Sequence, residues 1–167
     1  MELLNHDQAL KYARAGADEF KDSPLRVAFN RAVPKDPRLV QRIDRNDSFY
    51  FIVSFTIGDR ETSRVILDAF DGTLEEAAGI EKEGESLTPY LTEREAMSTL
   101  FVESSAKKKW ETTLRQGTIG LHPVLVWKPC RQSSSPFMPF YQFSTGRSFV
   151  YLRVDRQLSE ALTNSPV

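Results

Sequence analysis

Three segments of this 167-residue sequence recur, in the same order, further along the chain. Leu4-Asn5-His6-Asp7-Gln8-Ala9-Leu10 returns 87 residues later as Leu91-Thr92-Glu93-Arg94-Glu95-Ala96-Met97. Residues 49–58, aromatic and β-prone up to a closing Gly58, return at a spacing of 88 as residues 137–146, closed by Gly146. Ile66, Phe70, Asp71, Leu74, Glu76 and Ala77 lie over Val150, Val154, Asp155, Leu158, Glu160 and Ala161 at a spacing of 84. The length change falls at residues 58–63, in a turn, where it costs least. Self-similarity of this kind predicts a tandem duplication of a unit of about eighty residues. The segments 23–38 and 110–125 have diverged past recognition.

Each repeat reads physically as a helix followed by antiparallel strands. Asn5 and Thr92 are capping residues, with Gln8 and Glu95 three positions on, where a capping box needs them. The first helix is expected from about Asn5 to about Lys21, with Leu10, Ala13, Ala17 and Phe20 as its small-residue-rich apolar stripe. The second begins at Thr92, and the polar stretch 103–109 predicts a frayed or free-standing end before Trp110 and Leu114. Strands are expected over 39–44, 49–57 and 64–70, and again over 124–130, 137–145 and 148–154. Residues 27–33 suit a strand or a short helix. Residues 32–37 read as loop, because Pro34 and Pro37 lack ladder N–H groups. The charged stretch 81–86 marks the junction, giving units 1–84 and 91–167 joined by 85–90.

A helix opening on Leu-[Asn/Thr]-x-x-[Gln/Glu]-Ala and leading into a three-stranded meander resembles the PepSY domain, a small cystatin-like unit. Val65-Ile66-Leu67-Asp68-Ala69-Phe70-Asp71-Gly72-Thr73-Leu74 is similar to that family's closing hairpin; the second copy carries Arg156-Gln157 where the first has Gly72-Thr73. The resemblance touches both halves and rests on about a third of the residues. It implies an α+β fold of two units, each a helix on a three- to four-stranded antiparallel sheet. It also implies a binding or inhibitory module, not a catalyst.

Charge is balanced, with 22 basic and 23 acidic residues, so no bulk field draws the chain to nucleic acid or anionic lipid. A single cysteine excludes an intrachain disulfide. The N-terminal residues lack a basic and apolar leader pattern, and the expected location is cytoplasmic. Cys130 has His122 eight residues away and lies over Ile43, an apolar position, so a small buried hydrophobe is expected. His6 and His122 have no metal-ligand spacing around them. Glu75, Glu76, Glu81, Glu83 and Glu85 lack the alternating oxygens of a calcium loop and read as a solvated helix end and linker. Lys107-Lys108-Lys109-Trp110 mixes charge with an aromatic, and Asn46-Asp47-Ser48 is a glycosylation sequon better read as a turn. No phosphate loop or nucleophile elbow occurs. No cofactor, metal or catalytic role is expected.

The surface left open by such a unit carries the functional expectation. Phe49, Phe51, Val53, Phe55 and Ile57 alternate onto the face that meets the helix. Tyr50, Ile52, Trp127, Met138 and Phe140 then fall on the opposite face, which needs cover from the other repeat or from a protein or peptide partner, self-association included. The competing expectation is a small-ligand or catalytic cleft between the repeats, lined by Trp127, Tyr141 and Arg147.

Overall fold

The structure, a computed structural model, describes residues 2–107, 123–144 and 148–164. Among these the chain is α+β, with few helices and eight strands in mixed pairing. It divides into two compact units: Met1–Val40 with Asp47–Pro89, and Gln41–Asn46 with Tyr90–Val167. The change at Pro89 falls inside the expected linker 85–90. The short segment Gln41–Asn46 joins the second unit although it precedes β2 in the chain.

In the first unit α1 (His6–Ala17) runs into a 3-10 turn (Asp18–Phe20), then α2 (Arg26–Phe29), and strands β1 (Val33–Arg42), β2 (Ser48–Ile57), β3 (Arg60–Asp68) and β4 (Leu74–Gly79), in the order β4-β3-β2-β1. The capping box forms: Asn5 Oδ1 accepts from the Gln8 amide at 2.9 Å and Gln8 Oε1 from the Asn5 amide at 2.8 Å. The buried stripe of α1 is Ala9, Ala13 and Gly16, with Leu10 and Ala17 half-buried at its edges. A Cβ at Gly16 would meet Leu74 Cδ1 at 2.6 Å, so this stripe lets the helix lie against the sheet with almost no spacer. Phe51, Val53 and Phe55 of β2, Val65 and Leu67 of β3, and Phe29 of α2 complete this core. Burying such side chains is worth about 1.5–3 kcal/mol each.

Two expectations need correction here. Residues 32–37 are not loop: β1 starts at Val33 and runs through both prolines. Pro34 stands at the strand's second residue, and Pro37 follows Asp36, whose φ of 50° interrupts regular geometry; strand starts and irregular points are where sheets tolerate proline. Glu75 and Glu76 do not end a helix; they lie exposed on β4, paired with β3 from Ser63 to Leu67. Residues 27–33 resolve as α2 followed by the start of β1.

The second unit holds α3 (Glu93–Lys107), β5 (Val124–Trp127), β6 (Phe140–Ser144), β7 (Phe149–Arg153) and β8 (Leu158–Ser159), ordered β5-β6-β7-β8. Gln41 and Arg42 of β1 pair in parallel with Val126 and Trp127, so the pairing is not wholly antiparallel as expected. Thr92 caps α3: its Oγ1 accepts from the Glu95 amide at 3.2 Å, and Glu95 Oε2 accepts from the Thr92 amide at 2.8 Å. Residues 108–109, Trp110, Leu114 and His122 lie outside the described residues.

Similar local bonds occur in both units, at a register offset from the one that the sequence match suggests. Leu4 N donates to Ala69 O at 2.8 Å, and Leu91 N to Val154 O at 3.0 Å. Ala69 N donates to Phe49 O at 3.2 Å, and Val154 N to Pro139 O at 3.1 Å. β2–β3 pairs Tyr50 with Asp68, and β6–β7 pairs Phe140 with Arg153. Tyr50 thus corresponds to Phe140, two residues beyond the Met138 that the 88-residue spacing matched to it. A slip of two keeps every side chain on its face, which is why the pattern still looked right. Both closing turns end on a residue at positive φ but differ in length by one: Gly72 N bonds Asp68 O four residues back with φ at 76°, and Arg156 N bonds Arg153 O three residues back with φ at 80°.

Candidate functional site

In the first unit a cleft of about 810 Å³ opens beside α2. Its construction begins with the chain that leaves α1. Ser23 accepts the Leu25 amide on its hydroxyl at 3.1 Å and donates to Phe20 O at 3.0 Å, which turns the chain ahead of Pro24 and starts α2. The helix then sits directly on the sheet. Thr62 Oγ1 and Ser63 Oγ both donate to Ala28 O, at 2.7 and 3.1 Å. A Cβ on Gly79 would stand 2.4 Å from Ala28 Cβ, so glycine is what permits this approach. The anchoring hydroxyls are fully buried and paired, as buried polar groups must be.

The floor of the cleft is aromatic. Phe20 stacks on Phe29 with ring centroids 4.8 Å apart, and Phe29 meets Phe55 edge-on at 5.0 Å. Phe20, Val27, Ala32 and Ile57 are only half-buried, so apolar surface faces the opening. The rim is cationic. Arg14, Lys21, Arg26, Arg31 and Arg60 line it, against the acids Asp18 and Glu83. Lys21 is engaged with Asp18 at 2.9 Å, which holds its ammonium above the ordinary range. Arg60 donates to Glu85 O at 3.3 Å. The side chains of Arg14, Arg26 and Arg31 have no ion-pair partner among the described residues.

Arg31 stands out on backbone grounds as well. It directly follows the C-cap of α2 with φ at 61°, a left-handed position that glycine fills in most helix ends. Of the four non-glycine residues at positive φ among the described residues, Asp36 and Asp47 are of a type that tolerates it, whereas Arg31 and Arg156 are not. An unrelieved conformation at a cleft rim is the kind of local cost that binding sites retain.

A second polar constellation lies on β2 and β3. Glu61 Oε1 accepts from Arg64 Nε at 2.6 Å and from Ser54 Oγ at 2.6 Å, while Arg64 NH2 reaches Glu61 Oε2 at 2.9 Å and Thr88 O at 2.6 Å. With side chains 9% and 13% exposed, this ion pair is spent internally. Together with the bonds from Leu87 N to Glu61 O and from Arg60 to Glu85 O, it pins residues 85–88 to the first unit. The stretch expected as a linker is therefore held at several points. Among the described residues, no buried side-chain nitrogen or oxygen lacks a partner, and no three His, Cys, Asp or Glu come together as a metal-binding group.

The residues singled out from the sequence lie elsewhere. Tyr50 and Ile52 alternate away from the Phe51–Val53–Phe55 core as expected, yet they are 3% and 1% exposed. Phe140 is fully buried. Trp127 does not share its face: Val126 pairs with Phe140 and Leu125 with Tyr141, so alternation puts Trp127 on the Tyr141 side. Met138 lies before β6 starts, in a turn where its amide donates to Ser135 O and its carbonyl accepts from Ser133 Oγ. Of the five, Tyr50, Ile52, Trp127 and Phe140 are buried and Met138 is half-buried.

For the alternative cleft, Trp127 Nε1 donates to Ser133 Oγ at 3.3 Å and Tyr141 OH to Leu91 O at 2.7 Å, while Arg147 lies outside the described residues. The Arg42 guanidinium stacks 4.9 Å from the Trp127 ring centroid. Cys130 is buried, but past the end of β5, in an isolated bridge to Ser133 and not in a strand. No helix among the described residues is long and apolar enough to cross a membrane. Comparison with protein-family models, with curated proteins and with solved structures returns no match.

Proposed function

We propose that this protein is a non-catalytic binding module for a protein or peptide partner, and that the partner docks in the cleft beside α2. The observation that carries the reading is the combination found there: half-buried apolar surface on an aromatic floor, under a rim on which Arg14, Arg26 and Arg31 have no ion-pair partner among the described residues. Recognition sites pair an apolar anchor pocket with a few placed polar groups. The polar clusters elsewhere, by contrast, are consumed in holding the fold together. The reading agrees with what the PepSY resemblance implies, two small α+β units that bind and do not catalyse.

The test is peptide display on the immobilised full chain, followed by titration of the enriched peptides against a cleft-blocked variant. Ala32→Trp places a large ring over the floor, next to residues already half-exposed. Enriched peptides that lose binding to Ala32→Trp, in protein whose circular dichroism is unchanged, support the reading. Peptides that bind both proteins equally, or no enrichment over an unrelated scaffold, count against it.

A further inference from the structure

We infer that the cleft beside α2 takes an acidic peptide segment that carries a large apolar, preferably aromatic, side chain between its carboxylates; this rests on the binding-module reading above. Three observations converge on that chemistry. The lining holds five basic residues against two acidic ones, and one of those acids, Asp18, is already paired with Lys21. Covering Arg14, Arg26 and Arg31 with a neutral segment would strip water from three guanidinium groups and return only carbonyl acceptors, leaving their charge uncompensated. A ligand that brings anions of its own offsets that cost. Planar guanidinium groups accept carboxylates in two-point contacts, which gives orientation as well as attraction.

Beneath the rim, the partly exposed Phe20 ring and the side chains of Val27 and Ile57 offer an apolar seat that a purely ionic ligand would leave wet. A ring lying on Phe20 would extend the stack that Phe20 and Phe29 already form. A polynucleotide is the weaker fit. Its charge repeats over many residues and calls for a basic domain, while this chain carries a net charge of −1 and a pI near 6.2. The cleft lining carries five basic residues, the scale of a short segment with a few carboxylates.

The acidic stretch 81–85 passes along the rim, where Glu83 and Gly84 contribute to the lining, Glu85 Oε2 accepts from Lys82 N at 3.2 Å and Arg60 donates to the Glu85 carbonyl.

The experiment uses the full chain and fluorescein-labelled peptide pools of matched length, read by anisotropy. One pool is acidic with a central Phe, one is acidic with Ala in its place, one carries Lys for every acid, and one is neutral with the Phe kept; a single-stranded oligonucleotide completes the set. The acidic Phe pool is expected to bind at least about tenfold more tightly than any other, and to weaken as salt rises. Arg26→Glu combined with Arg31→Glu, both on exposed rim positions, is expected to lower that affinity by about tenfold or more with the far-ultraviolet spectrum unchanged. If the neutral or lysine pool binds equally and charge reversal changes nothing, the acidic assignment is overturned while the binding module stands. Tighter binding of the oligonucleotide overturns it too. If no pool binds and Ala32→Trp is silent in display, the binding-module reading falls with it.

Discussion

Replacing Arg31 with glycine separates stability from recognition at a single residue. At φ 61°, an L-residue loses about 1–2 kcal/mol to the contact of its Cβ with the following carbonyl oxygen. Glycine escapes that contact but gives up about 0.5–1 kcal/mol through the greater freedom of its unfolded chain. Arg31→Gly is therefore expected to stabilise the first unit by the difference, about 0.5–1 kcal/mol. With a urea slope of about 2 kcal/mol/M, the unfolding midpoint should rise by about 0.25–0.5 M. The same change removes one rim guanidinium, which should weaken acidic-peptide binding by about three- to tenfold, the worth of one partly solvated charge. Arg31→Ala is the control. It removes the charge and keeps the Cβ, so affinity should fall equally while the midpoint stays put. Urea titrations followed by circular dichroism and anisotropy titrations on the same samples read both quantities. A lowered midpoint for Arg31→Gly, or an equal gain for Arg31→Ala, refutes the strain argument; unchanged affinity in both removes Arg31 from the site.

Four further outcomes follow from the geometry. Arg156→Gly gives the second unit's closing turn the residue that Gly72 supplies in the first, and should raise its stability by about 0.5–1 kcal/mol in urea unfolding; destabilisation would mean that the Arg156 side chain makes contacts worth more than its strain. Gly79→Ala drives a Cβ to 2.4 Å from Ala28 Cβ and 3.2 Å from the Thr62 carbonyl, so it should cost about 1–3 kcal/mol in stability and weaken peptide capture by displacing α2; wild-type behaviour in both assays would show that the contact relaxes freely. The Arg153 guanidinium, bonded to both Asp155 oxygens at 2.7 Å, holds that carboxyl below the usual carboxylate range, and a depressed carboxyl stabilises above its unfolded pKa and loses that contribution as pH falls through its folded value. Asp155→Asn should therefore cost up to about 1 kcal/mol at neutral pH and converge with the wild type in acid, whereas a gap that persists unchanged at low pH would assign the loss to packing. Cys130, 1% exposed, should react with a thiol reagent slowly in the native protein and rapidly in denaturant; fast native labelling would contradict its burial.

The helix starts were legible because their chemistry is local. Asn5–Gln8 and Thr92–Glu95 satisfy free amides three residues away, and nothing distant is needed to recognise them. β2 and β3 were legible for a related reason: a long alternating run fixes its own faces. The errors came where a tertiary partner decides. β1 continues through two prolines because its backbone leaves extended geometry at Asp36 and it begins one residue before Pro34, neither of which shows as a signal in residues 32–37. The short strand β4 carries Glu75 and Glu76 on an exposed side, so its composition resembles a helix end, while its pairing to β3 is set by Leu67 and Leu74. The second strand of the later unit was placed three residues early because Phe137, Met138 and Pro139 extend its apolar run without extending its ladder.

The cleft was not legible for a different reason. Its residues come from α1, the turn after it, α2, two strands and the connector, spread from Arg14 to Gly84, and no spacing rule joins them. Arginines scattered in sequence read as ordinary solvated charge. They become a rim only when Ala28 is drawn onto Thr62 and Ser63 through the gap left by Gly79, which turns α2 and brings Arg26 and Arg31 over Phe29 and Phe55. One signal was present without being sufficient: residues 23–38 found no match in the expected repeat, and they supply α2, Arg26 and Arg31.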